Sequence, residues 1–115
     1  MYYEISQLLI EENKGKKIVI FIYPSGNISF TAELSNELMY KFPDKIIVVG
    51  REKDDELRMS LRSPSEKKIK LPALIEKALI GIEGYGGGHD YAVGATIKKK
   101  DFEHFISVIK EEVLK

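Results

Sequence analysis

The chain has 115 residues, no cysteine, and 18 Lys+Arg against 18 Asp+Glu, for a formal net charge of zero at pH 7. That length supports the core of one domain, and the missing cysteines exclude a disulfide scaffold or a zinc ribbon and fit a reducing interior. Balanced charge removes any bulk electrostatic case for nucleic acid, so such a contact must come from a local patch. No apolar run reaches membrane-spanning length. Met1 to Asn13 lacks the basic start and apolar middle of a signal peptide, so a soluble cytoplasmic protein is expected.

Tyr2 to Glu12 places Ile5, Leu8 and Leu9 at helical spacing, with Asn13-Lys14-Gly15 as a stop. Residues 1–15 read as an N-terminal helix or the remnant of a linker. Lys17 to Tyr23 is a continuous β-branched and aromatic run, predicted to be a strand buried on both faces. Pro24-Ser25-Gly26-Asn27 is a turn by composition. A helix is predicted over about Ser29 to Lys41, with Phe30, Leu34 and Leu38 on one face and Asn27 or Ser29 as cap. Lys45 to Val49 is a second buried strand, with Gly50 as its stop. Together these form a βαβ unit.

Glu52-Lys53-Asp54-Asp55 reads as a solvated charged turn. Glu56 to Ser63 then alternates strictly. Leu57, Met59 and Leu61 fall on one face, and Arg58, Ser60 and Arg62 on the other. Two arginines and a serine on one open face suit phosphate oxygens, because the guanidinium fork matches them in pairs. An ordinary solvated strand face carries the same pattern. Leu71, Leu74, Ile75, Ala78 and Leu79 mark an amphipathic helix with Pro72 in its first turn and Gly81 beyond its end. Ala92 to Lys98 is a last strand. Asp101 opens a final helix with Phe102, Phe105, Ile106, Ile109 and Val113 on its apolar face, and His104 lies off that face. The expected fold is α/β: a mixed sheet of about four or five strands, flanked by helices and containing one βαβ unit.

Between the last predicted helix and strand lies Gly84-Tyr85-Gly86-Gly87-Gly88-His89. Successive glycines allow a turn through positive φ and close approach of another molecule, and free amides in such a turn bind anions. His89 adds a side-chain donor. Glycine runs are also ordinary loops. Tyr85 and Tyr91 flank the run, suited either to stacking on bases or to packing in the core. Lys98-Lys99-Lys100 is the basic cluster nearest to it, read equally as a handle for a nucleic-acid backbone or as a polar turn. The chain has no His-x-x-x-His pair, no Gly-Lys-Ser/Thr ending after the glycines, no Gly-x-Ser-x-Gly elbow and no cysteine nucleophile. Nothing recognisable activates a water, so a binding surface is expected rather than a complete active site.

Ser60-Leu61-Arg62-Ser63 on a strand, then Gly86-Gly87-Gly88-His89, then Ala92-Val93-Gly94-Ala95-Thr96-Ile97 and a closing helix, resembles the DHH-associated C-terminal domain of the DHH phosphoesterase superfamily. The likeness runs from about Lys16 to Lys115 and is nearest to the RecJ-like single-strand exonuclease branch. Alanyl-transfer-RNA synthetases carry a related domain with glycine runs, but His89 and the Ala-x-Gly-x-Thr-Ile run suit the RecJ-like branch better. The resemblance implies a lobe that holds single-stranded DNA or RNA, a short oligonucleotide or a dinucleotide. Gly86, Gly87 and Gly88 would offer amides. His89 would contact a phosphate, Arg62 a phosphate or base, and Ser60 and Ser63 would add lesser polar contacts. In that family a separate DHH lobe holds manganese or magnesium and cleaves the phosphodiester, and this sequence contains no counterpart of it. The resemblance therefore implies no cofactor in this chain. Two other roles follow from it: half of a phosphodiesterase completed by a DHH lobe, or a scaffold for replication proteins.

Overall fold

The computed structural model describes residues 17–24, 30–64 and 69–113. The helix expected near the N-terminus and the caps expected of Asn27 and Ser29 lie outside the described residues. The described elements run β1 (Ile18–Pro24), α1 (Thr31–Lys41), β2 (Ile46–Lys53), β3 (Glu56–Arg62), α2 (Leu71–Ala78), β4 (Gly84–His89), β5 (Ala92–Lys98) and α3 (Phe102–Val113), with a 3₁₀ turn at Lys99–Asp101 before α3. The strands form one five-stranded sheet in the order β1-β2-β3-β5-β4. β1 and β2 are parallel across the α1 crossover, and every other pairing is antiparallel. The expected α/β class and mixed sheet are thus present.

Each face of the sheet has its own core. Ile18, Ile46, Val48, Leu57, Leu61, Val93 and Ile97 point toward α2 and α3, where Leu71, Ile75, Phe105 and Ile109 are buried against them. Val19, Ile47 and Val49 point the other way and meet Leu34 and Leu38 of α1, with Tyr23, Phe30 and Phe42 closing the ends. Residues at i and i+4 share a face of α1, which is why Leu34 and Leu38 reach the sheet together. The Tyr23 and Phe30 rings stack at 4.3 Å, and the Phe30 N–H donates to the Tyr23 hydroxyl at 3.2 Å. α1 packs on β2 and β3. The β5–β4 side of that face carries no helix among the described residues.

Two expected boundaries move. Gly50 does not end β2, which continues to Lys53. A Cβ there would meet Ile22 Cδ1 and Met59 Cγ, each at 2.8 Å, so the glycine lets neighbouring side chains close over the strand. The turn shrinks to Asp54-Asp55 between Lys53 and Glu56, with Asp54 at φ 57°, a conformation aspartate tolerates. The glycine run is a strand rather than a turn: β4 pairs with β5 along Gly84–His89 and ends the sheet. Gly81, at φ 82°, lies beyond α2 as expected.

Candidate functional site

The register of β3, β5 and β4 sets nine residues in three cross-strand rows on the face that carries α1 over β2 and β3 and lies open over β5 and β4. Arg58 pairs with Thr96, which pairs with Tyr85. Ser60 pairs with Gly94, which pairs with Gly87. Arg62 pairs with Ala92, which pairs with His89. The alternation of a strand sends all nine to the same side. The middle row is almost bare. A Cβ at Gly87 would meet nothing within 4 Å, and one at Gly94 would meet only the Met59 carbonyl at 3.6 Å.

The remaining glycines of β4 answer to the opposite face. A Cβ on Gly84 would strike the Thr96 carbonyl at 2.7 Å, and one on Gly86 the Gly94 carbonyl at 2.7 Å with Ile75 of α2 at 3.1 Å. Gly88, at φ 152°, would strike the Ala92 carbonyl at 2.5 Å. Packing and backbone conformation therefore require Gly84, Gly86 and Gly88. Neither requires Gly87. As an edge strand, β4 gives part of its backbone to the β5 ladder and turns the rest outward along its free edge. The expected concave turn of free amides does not form.

Arg62 is held in place. Its Nε donates to Asn36 Oδ1 of α1 at 2.8 Å, and an Nη donates to the Leu61 carbonyl at 2.9 Å. Partial burial desolvates the guanidinium and shifts its pKa down. His89 is exposed across the row. The Ser60 hydroxyl donates to Thr31 Oγ1 at 3.0 Å, which ties the bare row to the start of α1. Ser63 stands apart from the rows. It is fully buried, and its hydroxyl donates to the Ile69 carbonyl at 3.3 Å.

Beside the Arg58 row lies a groove of about 430 Å³, lined by Thr31, Arg51, Arg58, Tyr85, Gly87 and Thr96 among others. Tyr85 is 69% exposed, so it does not pack in the core. Tyr91 is half-buried, with the Lys70 ammonium 5.1 Å from its ring centre. Arg51 was hidden in the sequence by reading Gly50 as a stop; the alternation Ile47, Val49, Arg51 was the signal for it. Asn36 carries no comparable signal. The basic cluster is partly neutralised: Lys98 pairs with Asp55 at 3.0 Å and Lys99 with Glu52 at 3.4 Å. Among the described residues, no three His, Cys, Asp or Glu side chains stand together to hold a metal ion. No helix among them is long and apolar enough to cross a membrane.

Residues 14–115 match the DHHA1 domain family. The chain belongs to this family. No curated protein matches it significantly. Among solved structures, the DHHA1 chain is similar to RecJ of Thermus thermophilus in complex with Mn²⁺, at TM-score 0.76 and 13% identity, covering 98% of this chain and 16% of RecJ. It is also similar to the C-Ala domain of Aquifex aeolicus alanyl-tRNA synthetase, at TM-score 0.70 and 15% identity, covering 82% of this chain and 87% of that one. A third is PggH, a pGpG-specific phosphodiesterase from Vibrio cholerae, at TM-score 0.63 and 12% identity, covering 97% of this chain and 39% of PggH. At these identities the DHHA1 domain shares the fold of all three. It spans a minor part of RecJ and of PggH.

Proposed function

We propose that this DHHA1 domain is a nucleic-acid-binding lobe that holds single-stranded DNA or RNA, or a short oligonucleotide, against the open face of β3, β5 and β4. The observation that carries this reading is the Arg62–Ala92–His89 row beside a floor without side chains at Gly87 and Gly94. Arg62 supplies a fixed fork for a phosphate, and His89 a second donor from across the row. The bare floor lets a sugar-phosphate chain lie close to the sheet. Ser60 borders that floor. Gly86 keeps β4 close against α2 and Gly88 keeps it close against β5, and Ser63 serves the fold. The likeness to RecJ and to a pGpG-specific phosphodiesterase supports this class of ligand.

Fluorescence anisotropy with labelled single-stranded oligonucleotides, titrated with salt, tests the reading. Affinity is expected to fall as salt rises, since phosphate contacts release counterions. R62A combined with H89A is expected to weaken binding by about 10-fold or more, because a hydrogen bond to a charged group contributes about 1.5–3 kcal/mol. Wild-type protein that binds no oligonucleotide at low salt overturns the proposal and favours a scaffold for other proteins. The described residues offer manganese or magnesium no ligand set. We infer from the resemblance that any phosphodiester cleavage belongs to a separate DHH lobe, and mixing the two and assaying single-strand cleavage tests that assembly.

A further inference from the structure

The Arg62–Ala92–His89 row ends at a two-residue turn, Asp90-Tyr91, between the register partners His89 and Ala92. The turns that suit such a hairpin need positive φ at one or both central residues. Neither Asp90 nor Tyr91 has it, since Asp54 is the one non-glycine residue with positive φ among the described residues. The turn is held from outside instead. The Ser63 N–H donates to the Tyr91 carbonyl at 3.0 Å, and the Leu71 N–H to the Asp90 carbonyl at 2.8 Å. Lys70 Nζ donates to Asp90 Oδ2 at 2.9 Å and to the Tyr91 hydroxyl at 3.4 Å. Leu71 and Ser63 are fully buried, so the anchors on which the turn hangs belong to the core.

Ser63 follows Arg62 and Asp90 follows His89, so this one turn joins both arms of the row. Arg62 has holders of its own in Asn36 and the Leu61 carbonyl. His89 is exposed, and the carboxylate next to it in the chain is gripped by Lys70. We propose that Lys70 is a positioning residue, which fixes the turn through Asp90 and so holds the His89 imidazole across from Arg62 at the spacing a sugar-phosphate guest needs. This rests on the binding role proposed above. Lys70 and Asp90 are each about half exposed, so their ion pair adds little to stability. A lysine that met a phosphate directly would behave differently. Removing the Asp90 carboxylate would then free the ammonium and take a negative charge from the site, and both effects strengthen anion binding. If Lys70 acts through Asp90, the same change weakens it.

The test is fluorescence anisotropy with a fluorescein-labelled oligothymidylate at low salt. Wild type, K70M, K70R, D90A and H89A are compared, with K70M/H89A and D90A/H89A completing two double-mutant cycles. Folding is checked by circular dichroism and thermal melts, where K70M and D90A are expected to lie close to wild type, as exposed substitutions do. K70M and D90A are each expected to weaken binding by about 3-fold or more, as coupled residues do. K70R is expected to stay near wild type, because a guanidinium also meets the Asp90 carboxylate. In the H89A background neither K70M nor D90A is expected to weaken binding further. If D90A binds as tightly as wild type or tighter, the positioning role is overturned while the binding role stands. The same holds if folded K70M binds as wild type does, or loses as much affinity in H89A as in wild type. K70M with and without H89A decides the matter even where D90A does not fold. If wild type binds no oligonucleotide, both roles fall together.

Discussion

Arg62 and His89 stand in one cross-strand row, each the register partner of Ala92, on the same face of the sheet. Far apart in the chain, they are two strands apart in space, about 10 Å at ordinary strand spacing. The proposed binding surface depends on this pairing of a fixed guanidinium with an exposed imidazole.

The fixing of Arg62 is itself testable. Asn36 holds the Arg62 Nε at 2.8 Å from an exposed position on α1. N36A should leave thermal stability within about 0.5 kcal/mol of wild type, as exposed substitutions do. It should weaken oligonucleotide binding several-fold, because the fork is then free to rotate. Anisotropy and thermal melts on the same preparation check both halves.

Adjacent glycines of β4 should respond in opposite ways. G86A must push against the Gly94 carbonyl at 2.7 Å and Ile75 at 3.1 Å. Overpacking of this kind costs about 1–3 kcal/mol. G87A meets nothing within 4 Å and should melt close to wild type. A larger side chain there, as in G87V, should reduce oligonucleotide affinity by standing on the floor. Denaturant unfolding and anisotropy separate the two glycines.

Ser63 should behave as a structural residue. Its buried hydroxyl donates to the Ile69 carbonyl, and its N–H donates to the Tyr91 carbonyl at 3.0 Å. S63A should lower stability by about 1 kcal/mol by losing the hydroxyl bond, with oligonucleotide affinity unchanged. A loss of affinity without a loss of stability would place Ser63 at the ligand instead.

The Asp55–Lys98 pair closes the β2–β3 turn onto β5 and gives stability a pH dependence. The hydrogen bond and positive charge of Lys98 hold the Asp55 carboxyl below the usual carboxylate range, and the same contact raises Lys98. A depressed carboxylate stabilises the fold above its unfolded value of about 3.9 and loses that contribution as pH falls through its folded value. The raised ammonium contributes fully below about 10.4 and is lost as pH rises through its folded value. Wild type should therefore melt above D55N near neutral pH, with the gap closing in strong acid and strong alkali. The pair is exposed, so the gap should be small and should shrink further in high salt.

Much of this fold is legible one residue at a time. The alternation of Glu56–Arg62 foretells which β3 side chains are buried, and the unbroken apolar run before Pro24 marks β1. Gly50 and the Gly84–Gly88 run mislead for a shared reason. A glycine read alone suggests a stop or a turn, but here the missing side chains answer to Ile22 and Met59, or to α2 and the β5 carbonyls. Those neighbours are distant in sequence. The site behaves likewise: Arg58, Ser60 and Arg62 fall on one open face by spacing alone. That His89 lies opposite Arg62, and that Gly87 faces Gly94, requires the β5 register.

β4 is one of the two edge strands of the sheet, and all of its residues from Gly84 to His89 are exposed. With few side chains to grip its surroundings and glycine's large backbone entropy to lose, it is the strand most prone to detach transiently from the sheet. Its amides should be among the first to take up deuterium, ahead of those buried in β2 and β3. A guest lying across this hem would slow that uptake, and part of its binding free energy would go into keeping the margin of the sheet closed.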